Sequence, residues 1–217
     1  MGNIIFRMAK PCDAKALANL HWNVRERYSK GIFLLLGKSF LKTYYQIILN
    51  DPYEIVVCAE DCDSGQLIGF SSATLKAEHQ AGTLKKHRFR LGLSATAALI
   101  RKPILIKDLW QRYKSIDGGH GQKFINTHGV RGEYWCWLKN EENGLDAIEM
   151  GYIKEDIISR LGYKELFFEV DKFNKRVFKF YSKFEKCEVI EEITLPDGRE
   201  RVLFKKDLSK IKKRIVE

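Results

Sequence analysis

The chain has 217 residues, of which 45% are hydrophobic and 30% charged, and a formal net charge of +10. This length supports one sizeable core and is short for two ordinary domains. No apolar run reaches the roughly 18 residues of a membrane-spanning helix, and the N-terminus lacks the layout of a signal peptide. We therefore expect one domain over residues 1–217, located in the cytoplasm.

The cysteines are odd in number and do not form a metal-type cluster. They are Cys12, Cys58, Cys62, Cys136 and Cys187. This pattern favours free thiols in a reducing compartment over a disulfide framework. We expect no metal site.

The first part of the chain predicts the element order β-α-α-β-β. Ile4 to Met8 alternates as a strand, and a helix is predicted from Asp13, its plausible N-cap. A second helix is predicted from about Ser39. Residues 55–59 and 67–73 are apolar runs separated by a polar, Gly-containing turn, which predicts a hairpin.

Residues 77–130 differ from the rest of the chain in their charge and glycine content. Two amphipathic helices are predicted here, separated at Pro103 because proline interrupts a helix. One apolar stripe comprises Phe89, Leu93, Ala97 and Ile100, and the other comprises Leu105, Leu109 and Tyr113. We interpret this segment as an insertion.

The last part of the chain predicts the order β-α-β-α-β-β. The predicted elements are a strand at 134–138, a helix at 147–161, a strand at 164–170, a helix at 174–184 and a hairpin of 188–193 with 199–204. Gly162 follows the first of these helices, where a glycine commonly ends a helix.

This order and three local sequences resemble the GNAT superfamily of acyl-CoA-dependent N-acyltransferases. Residues 56–70 resemble its second hairpin, and residues 162–170 resemble its fifth strand with the entry turn. The most specific match is Asn174-Lys-Arg-Val-Phe-Lys-Phe-Tyr-Ser-Lys183, which resembles the N-x-x-A-x-x-F-Y-x-K helix of the family. The resemblance covers the chain except for residues 77–130.

The resemblance implies an α/β (α+β) fold with a central mixed, mostly antiparallel sheet flanked by helices. The helical insertion would lie between strands 3 and 4. In such folds the fourth and fifth strands splay apart and acyl-CoA lies in the notch. The pyrophosphate then sits at the N-terminus of the following helix, where backbone N–H groups and the helix dipole favour an anion.

The resemblance also assigns roles to four side chains. Trp137 and Leu138 would line the thioester, and Asn174 would face the pantetheine arm. Tyr181 would protonate the departing thiolate as the general acid. By itself Tyr181 is better interpreted as a packed aromatic residue at helical spacing, because Phe178 and Phe180 stand beside it. Asn174, seven residues upstream, and the strand before it favour the general acid instead.

The general base is less sharply indicated. Family members often place a glutamate on the fourth strand, and Glu133 opens that strand here. Glu169 is an alternative. His79, His120 and His128 lie in or near the insertion, and we interpret them as solvated loop residues.

The phosphate loop departs from the family pattern Arg/Gln-x-x-Gly-x-Gly/Ala. Its matching positions are Glu142, Leu145 and Ala147, and Gly144 lies one place early. Glu141, Glu142 and Asp146 add negative charge where phosphates would sit. Three explanations remain: a loop shifted by one residue to use Gly144, weak binding compensated by Lys139 or Lys172, or a site that no longer binds CoA.

Positive charge is concentrated in two segments. Residues 85–114 contain nine Lys/Arg and one acidic residue. Residues 205–214 contain six Lys/Arg and one acidic residue. The first segment would bind a phosphorylated or nucleotide-linked acceptor, lie on an anionic membrane surface, or pack on the fold as a lid. No aromatic platform or motif supports nucleic-acid binding.

Two functions follow from these patterns. The first is an acetyl-CoA-dependent N-acetyltransferase acting on an amine of a small acceptor, such as an amino sugar or a nucleotide-linked sugar. The alternative is a catalytically degenerate GNAT-fold module that binds a ligand or a partner. Both are compatible with a homodimer.

Overall fold

The computed structural model describes residues 3–25, 32–107, 128–138, 144–194, 198, 200–209 and 211. Seven strands and seven helices are defined within these ranges. In chain order they are β1 (Ile4–Met8), α1 (Ala14–Asn23), α2 (Ile32–Leu35), α3 (Gly37–Ile48), β2 (Glu54–Asp61), β3 (Leu67–Thr74), α4 (Ala77–Lys86), α5 (Arg88–Arg101), β4 (Arg131–Trp137), α6 (Gly144–Arg160), β5 (Glu165–Asp171), α7 (Lys175–Lys179), β6 (Glu188–Thr194) and β7 (Glu200–Asp207).

The strands form one sheet in the order β1-β2-β3-β4-β5-β7-β6. Every neighbouring pair is antiparallel except β4 and β5, which are parallel. The expectation of a mixed, mostly antiparallel sheet flanked by helices is confirmed. The predicted hairpins 55–59/67–73 and 188–193/199–204 form the β2–β3 and β6–β7 pairs.

The two faces of the sheet bury separate cores, because side chains alternate along a strand. Val56 and Cys58 point to a core shared with α1, α3 and Ala95 of α5. Ile55 and Val57 point to the other core, which includes residues of α6, β5 and β7. We call these the α3 face and the α6 face.

The start of α1 differs in detail from the N-cap prediction. A 3-10 turn spans Pro11–Asp13, and the Asp13 side chain makes no capping bond to α1. Its carboxylate instead accepts hydrogen bonds from the Arg7 guanidinium at 2.7 Å and from the Lys10 N–H at 2.7 Å. Asp13 therefore ties β1 to the helix entry.

The insertion lies between β3 and β4, as expected, and its first part forms α4 and α5. Leu91, Ala95 and Leu99 of α5 pack against the core on the α3 face. The predicted stripe points the other way, since Phe89 and Leu93 are exposed. Leu109 and Tyr113 of the second predicted stripe lie outside the described residues.

The helix predicted over 174–184 is divided into α7 and a π-helical turn at Phe180–Phe184. A π turn contains an extra residue. The left-handed residue that ends this helix is Lys186, with φ of 51°. In the family that the sequence resembles, this helix is followed by Gly-Phe, and this chain has Glu185-Lys186 at those positions.

Replacing Lys186 with Gly should stabilise the fold. A side chain in the left-handed region is strained, and glycine removes that strain at the cost of a more flexible unfolded chain. We expect the free energy of unfolding to rise by about 0.5–1 kcal/mol, measured by denaturant titration. Lys183→Gly, within the helical turn, should instead lower it, and the opposite order would contradict this description of the turn.

None of the helices in the described part of the chain is both long enough and apolar enough to span a bilayer.

Candidate active site

The strands β4 and β5 meet at only one register position. Arg131 is opposite Phe167, and the Phe167 N–H donates to the Val130 carbonyl at 3.1 Å. Beyond this point the parallel strands separate, so the later residues of β4 present a backbone edge that β5 does not pair. The result is a notch whose closed end is at Arg131 and whose open end is towards Trp137.

A β-bulge shapes the middle of β4. Ser71 is opposite Trp135 and Ala73 is opposite Gly132, so Glu133 and Tyr134 together face the single residue Ser72. The Tyr134 N–H donates to the Ser72 hydroxyl at 3.1 Å. Because a bulge bends its strand and redirects side chains, it brings Glu133 to the α3 face near the closed end of the notch.

Tyr181 lies next to β4 and β5 on the α6 face. Its ring centroid is 4.3 Å from that of Phe168 on β5 and 6.1 Å from that of Trp135 on β4. These contacts fix the ring between the two strands that form the notch. Tyr181 is therefore a packed aromatic residue, and its role as general acid stays a prediction.

Burial raises the pKa of Tyr181 well above 10, and Glu155 adds to the effect. The phenol is therefore protonated throughout the neutral pH range and can donate a hydrogen bond or a proton. Burial likewise raises the pKa of the neighbouring Cys187 thiol to about 11.

A charged cluster connects the turn of Tyr181 to α6 and β7. The Lys206 ammonium contacts Glu155 at 2.8 Å and also the Glu185 carboxylate. The Tyr152 hydroxyl donates to Glu185 at 2.5 Å. Glu185, which replaces the family's glycine, therefore anchors the end of the π turn that carries Tyr181.

The described part of α6 starts at Gly144, directly after residues 139–143, which lie outside the described residues, so the shifted-loop explanation stays a prediction. Leu145 is exposed and helical, and the Ala147 carbonyl accepts a 2.9 Å hydrogen bond from Trp135 Nε1. This bond holds the first turn of the helix against β4. Lys139, Glu141 and Glu142 lie outside the described residues, so the loop itself stays a prediction.

Trp137 and Leu138 lie at the open end of β4, on opposite faces. Trp137 packs on the α6 face, and Leu138 packs on the α3 face. The Trp137 ring covers Gly69, where an added Cβ would come within 2.2 Å of a ring carbon. Gly69 is therefore required by the close approach of this ring.

Asn174 is the N-cap of α7. Its side-chain oxygen accepts a 3.4 Å hydrogen bond from the Val177 N–H, and the residue is exposed. Capping by Asn is a common helix-start interaction. It accounts for Asn174 without a cofactor, so its proposed contact with pantetheine would involve the amide nitrogen.

Glu133 forms an ion pair with Arg131 at 2.6 Å, and both side chains are largely buried. Arg131 also donates to Gln80 of α4 at 2.6 Å. Glu169, the alternative base, accepts from Arg201 of β7 at 3.0 Å. Both candidate bases are therefore held by arginines on the same side of the sheet.

Glu54 shares Gln80 as a hydrogen-bond partner with Arg131, and it was not identified as a site residue from the sequence. It is opposite Thr74 on β3, which is opposite Arg131 on β4, and its carboxylate accepts a 3.2 Å hydrogen bond from Gln80. Burial, with Glu133 nearby, raises the pKa of Glu54 to about 8. An acidic residue beginning an apolar strand was the only sequence signal.

Glu54 should make stability depend on pH. Folding raises its pKa from 4.5 to about 8, so the folded state keeps a proton that the unfolded chain releases. The contribution of this proton to the free energy of unfolding is full below pH 4.5 and is lost as the pH rises towards 8. The free energy of unfolding of Glu54→Gln should therefore rise relative to that of the native protein, by on the order of 2 kcal/mol between pH 5 and pH 8.

Denaturant titrations at both pH values measure this gain. Glu165→Gln, which removes an exposed carboxylate on β5, is the control and should show no comparable gain. A constant difference between Glu54→Gln and the native protein across the range would contradict the raised pKa.

The histidines in or near the insertion have different surroundings. His79 contacts Asp51 at 3.2 Å, His128 is exposed, and His120 lies outside the described residues. Cys58 and Cys136 are buried, and all five cysteines are free thiols. Among the described residues, no group of three or more His, Cys, Asp or Glu could hold a metal ion.

Comparisons with known proteins support the fold. No family model and no curated protein matches the sequence. Several solved structures match over nearly the whole chain. An aminoglycoside 6'-acetyltransferase type Ii matches with TM-score 0.56 and 12% identity over 94% of this chain and 97% of that chain.

A spermidine N-acetyltransferase chimera from Vibrio cholerae and hSSAT matches with TM-score 0.56 and 13% identity, covering 97% and 99% of the two chains. A putative acetyltransferase of the GNAT family from Desulfovibrio desulfuricans matches with TM-score 0.54 and 10% identity. The match covers 94% of this chain and 99% of that chain. These matches and the splayed β4–β5 pair agree with the sequence resemblance. The chain has the GNAT fold.

Proposed function

We propose that this protein transfers the acetyl group of acetyl-CoA to an amine of a small acceptor. The observation that carries the proposal is the notch between β4 and β5, with Tyr181 fixed beside it by Phe168 and Trp135. The register of β4 with β5 is limited to Arg131 and Phe167, and an extended ligand would lie between the two strands beyond that position. Acetyl-CoA would supply the activated acyl thioester.

The cofactor-binding residues follow from this placement. Trp137 and the backbone of β4 would line the arm of acetyl-CoA, with Leu138 and Asn174 at the edge of the notch. Gly144, Leu145 and Ala147 form the first turn of α6, whose N–H groups would receive the diphosphate. Lys139 would add a positive charge.

Each reacting group has a distinct task. The acceptor amine must be neutral to form the new C–N bond, and Glu133 would take up its proton. As the C–S bond breaks, the sulfur acquires negative charge, and Tyr181 would donate its proton there. The raised pKa of Tyr181 keeps that proton in place until then.

The acceptor class is proposed to be amino sugars or their nucleotide-linked forms. The two solved relatives named for a substrate refer to an aminoglycoside and to spermidine, which are amines of different size. Incubation with acetyl-CoA and a panel of these four amine types, followed by thiol release and by mass analysis of the amine, tests the function. We expect an increase of one acetyl group on at least one class.

The alternative, a GNAT-fold module without turnover, rests on Asp146 in the first turn of α6 and on the acidic loop before it. It predicts that no amine in the panel is acetylated. Binding of acetyl-CoA without product would favour the module, whereas an acetylated amine would exclude it.

A further inference from the structure

The outer surface of α5 combines large apolar side chains with positive charge. Phe89 is 79% exposed, Leu93 is 79% exposed and Ile100 is 74% exposed. Ile104 and Ile106, just after the helix, are also exposed. Such a set of large apolar residues on one surface indicates an interaction site rather than scattered exposure.

The geometry of α5 separates its two sides. At about 100° per residue, Phe89, Leu93 and Ile100 fall within about 40° of one another on the outer side. Leu91, Ala95 and Leu99 lie on the side that packs towards α3. The exposed stripe is therefore not a displaced core face, because the helix already has an apolar face buried in the fold.

Arginines flank the exposed stripe. Arg88 and Arg90 lie about 100° to either side of Phe89, and Arg101 follows at the C-terminal end of α5. Residues 85–107 contain seven Lys/Arg and no acidic residue. By contrast, Lys205 and Lys206 of the other basic segment are held in ion pairs within the fold.

We propose that α5 docks this protein on an anionic phospholipid surface, with Phe89, Leu93 and Ile100 inserted between headgroups and the flanking arginines contacting lipid phosphates. An amphipathic helix with basic residues beside its apolar stripe has the chemistry of interfacial binding. The proposal is independent of the proposed transferase function.

Other occupants fit these observations less well. A nucleic-acid backbone would neutralise the arginines but leave the three large apolar side chains in water. A second copy docked through α5 would bring two segments without acidic residues together. Residues 108–127 contain two acidic and three basic residues, so they bring no compensating negative charge.

Co-sedimentation of the full-length protein with vesicles tests the proposal. Vesicles of phosphatidylcholine with about one-third phosphatidylglycerol should bind the protein at least tenfold better than phosphatidylcholine alone, and added salt should weaken binding. Equal binding to both vesicles, or no binding to either, would overturn it.

Variants separate the contribution of the apolar side chains to vesicle binding from that of the arginines. The double variant Phe89→Ser/Leu93→Ser should lower vesicle binding at least tenfold, because both side chains are exposed and their removal does not disturb the core. Replacing Arg88 or Arg101 with Gln should each lower it about fivefold. Arg90 is omitted because it donates to Gln46 on α3 at 2.7 Å.

Phe173→Ser is the matched control, since Phe173 is 75% exposed and lies outside the insertion. It should bind vesicles like the native protein. A Phe89→Ser/Leu93→Ser variant that binds vesicles normally would overturn the proposal. If that variant changed the oligomeric state instead, measured by light scattering, the stripe would be a contact between copies and lipid docking would be wrong.

Discussion

Replacing Tyr181 with Phe should lower the turnover number by about a hundredfold or more, because a positioned general acid contributes roughly that factor. The Phe ring keeps the packing on Phe168 and Trp135, so the free energy of unfolding should change little. The Kd for acetyl-CoA should also stay close to the native value. Steady-state kinetics with saturating acceptor measure the effect, and calorimetry measures the affinity.

Tyr163→Phe is the matched control for this change. Tyr163 packs against the same core but lies two residues before β5 begins, so its hydroxyl is not expected to reach the notch. Turnover by Tyr163→Phe should match the native enzyme. If Tyr181→Phe retains full turnover at every pH, the proton-donor role is wrong.

Replacing Lys206 with Ala should reduce the free energy of unfolding by about 3–5 kcal/mol, because it leaves buried carboxylates without their counter-charge. Lys206 is 8% exposed and contacts both Glu155 and Glu185. Burial alone would lower the pKa of Lys206, but the two carboxylates raise it. Lys206 is therefore charged at neutral pH.

Lys205→Ala is the control on the adjacent residue, whose side chain is on the opposite face of β7. Lys205 pairs with Glu188 at 2.8 Å, and both side chains are partly exposed. An ion pair between partly exposed side chains contributes little to stability, so Lys205→Ala should lower the free energy of unfolding far less than Lys206→Ala. Denaturant titration compares the two variants, and equal losses would show that the Lys206 cluster has no special contribution.

Local patterns were sufficient to predict most elements. The apolar runs 55–59 and 67–73 with their turn predicted the β2–β3 pair, and Gly162, with φ of 91°, ends the α6 segment as expected. These signals depend on neighbouring residues alone. The GNAT fold could be inferred because the order of the elements and the 174–183 motif can both be read from short stretches of neighbouring residues.

Features that depend on distant parts of the chain were not predicted. The row Glu54–Thr74–Arg131 arises from strand register, so the raised pKa of Glu54 has no local signal. The exposure of Phe89 and Leu93 was missed because helical spacing shows a stripe but not which side of the helix the fold covers. The role of Glu185 likewise depends on Lys206, 21 residues away.

Titration of acetyl-CoA into the protein in a calorimeter measures whether the notch and the first turn of α6 form a binding site. We expect a micromolar Kd, or about −8 kcal/mol. Gly144→Glu should weaken binding about tenfold or more through repulsion of the diphosphate, and Gly144→Gln should not. Among the described residues, an added Cβ at Gly144 meets no atom within 4 Å, so we expect neither variant to disturb the fold. No detectable binding by the native protein at millimolar acetyl-CoA would contradict acetyl-CoA as the co-substrate.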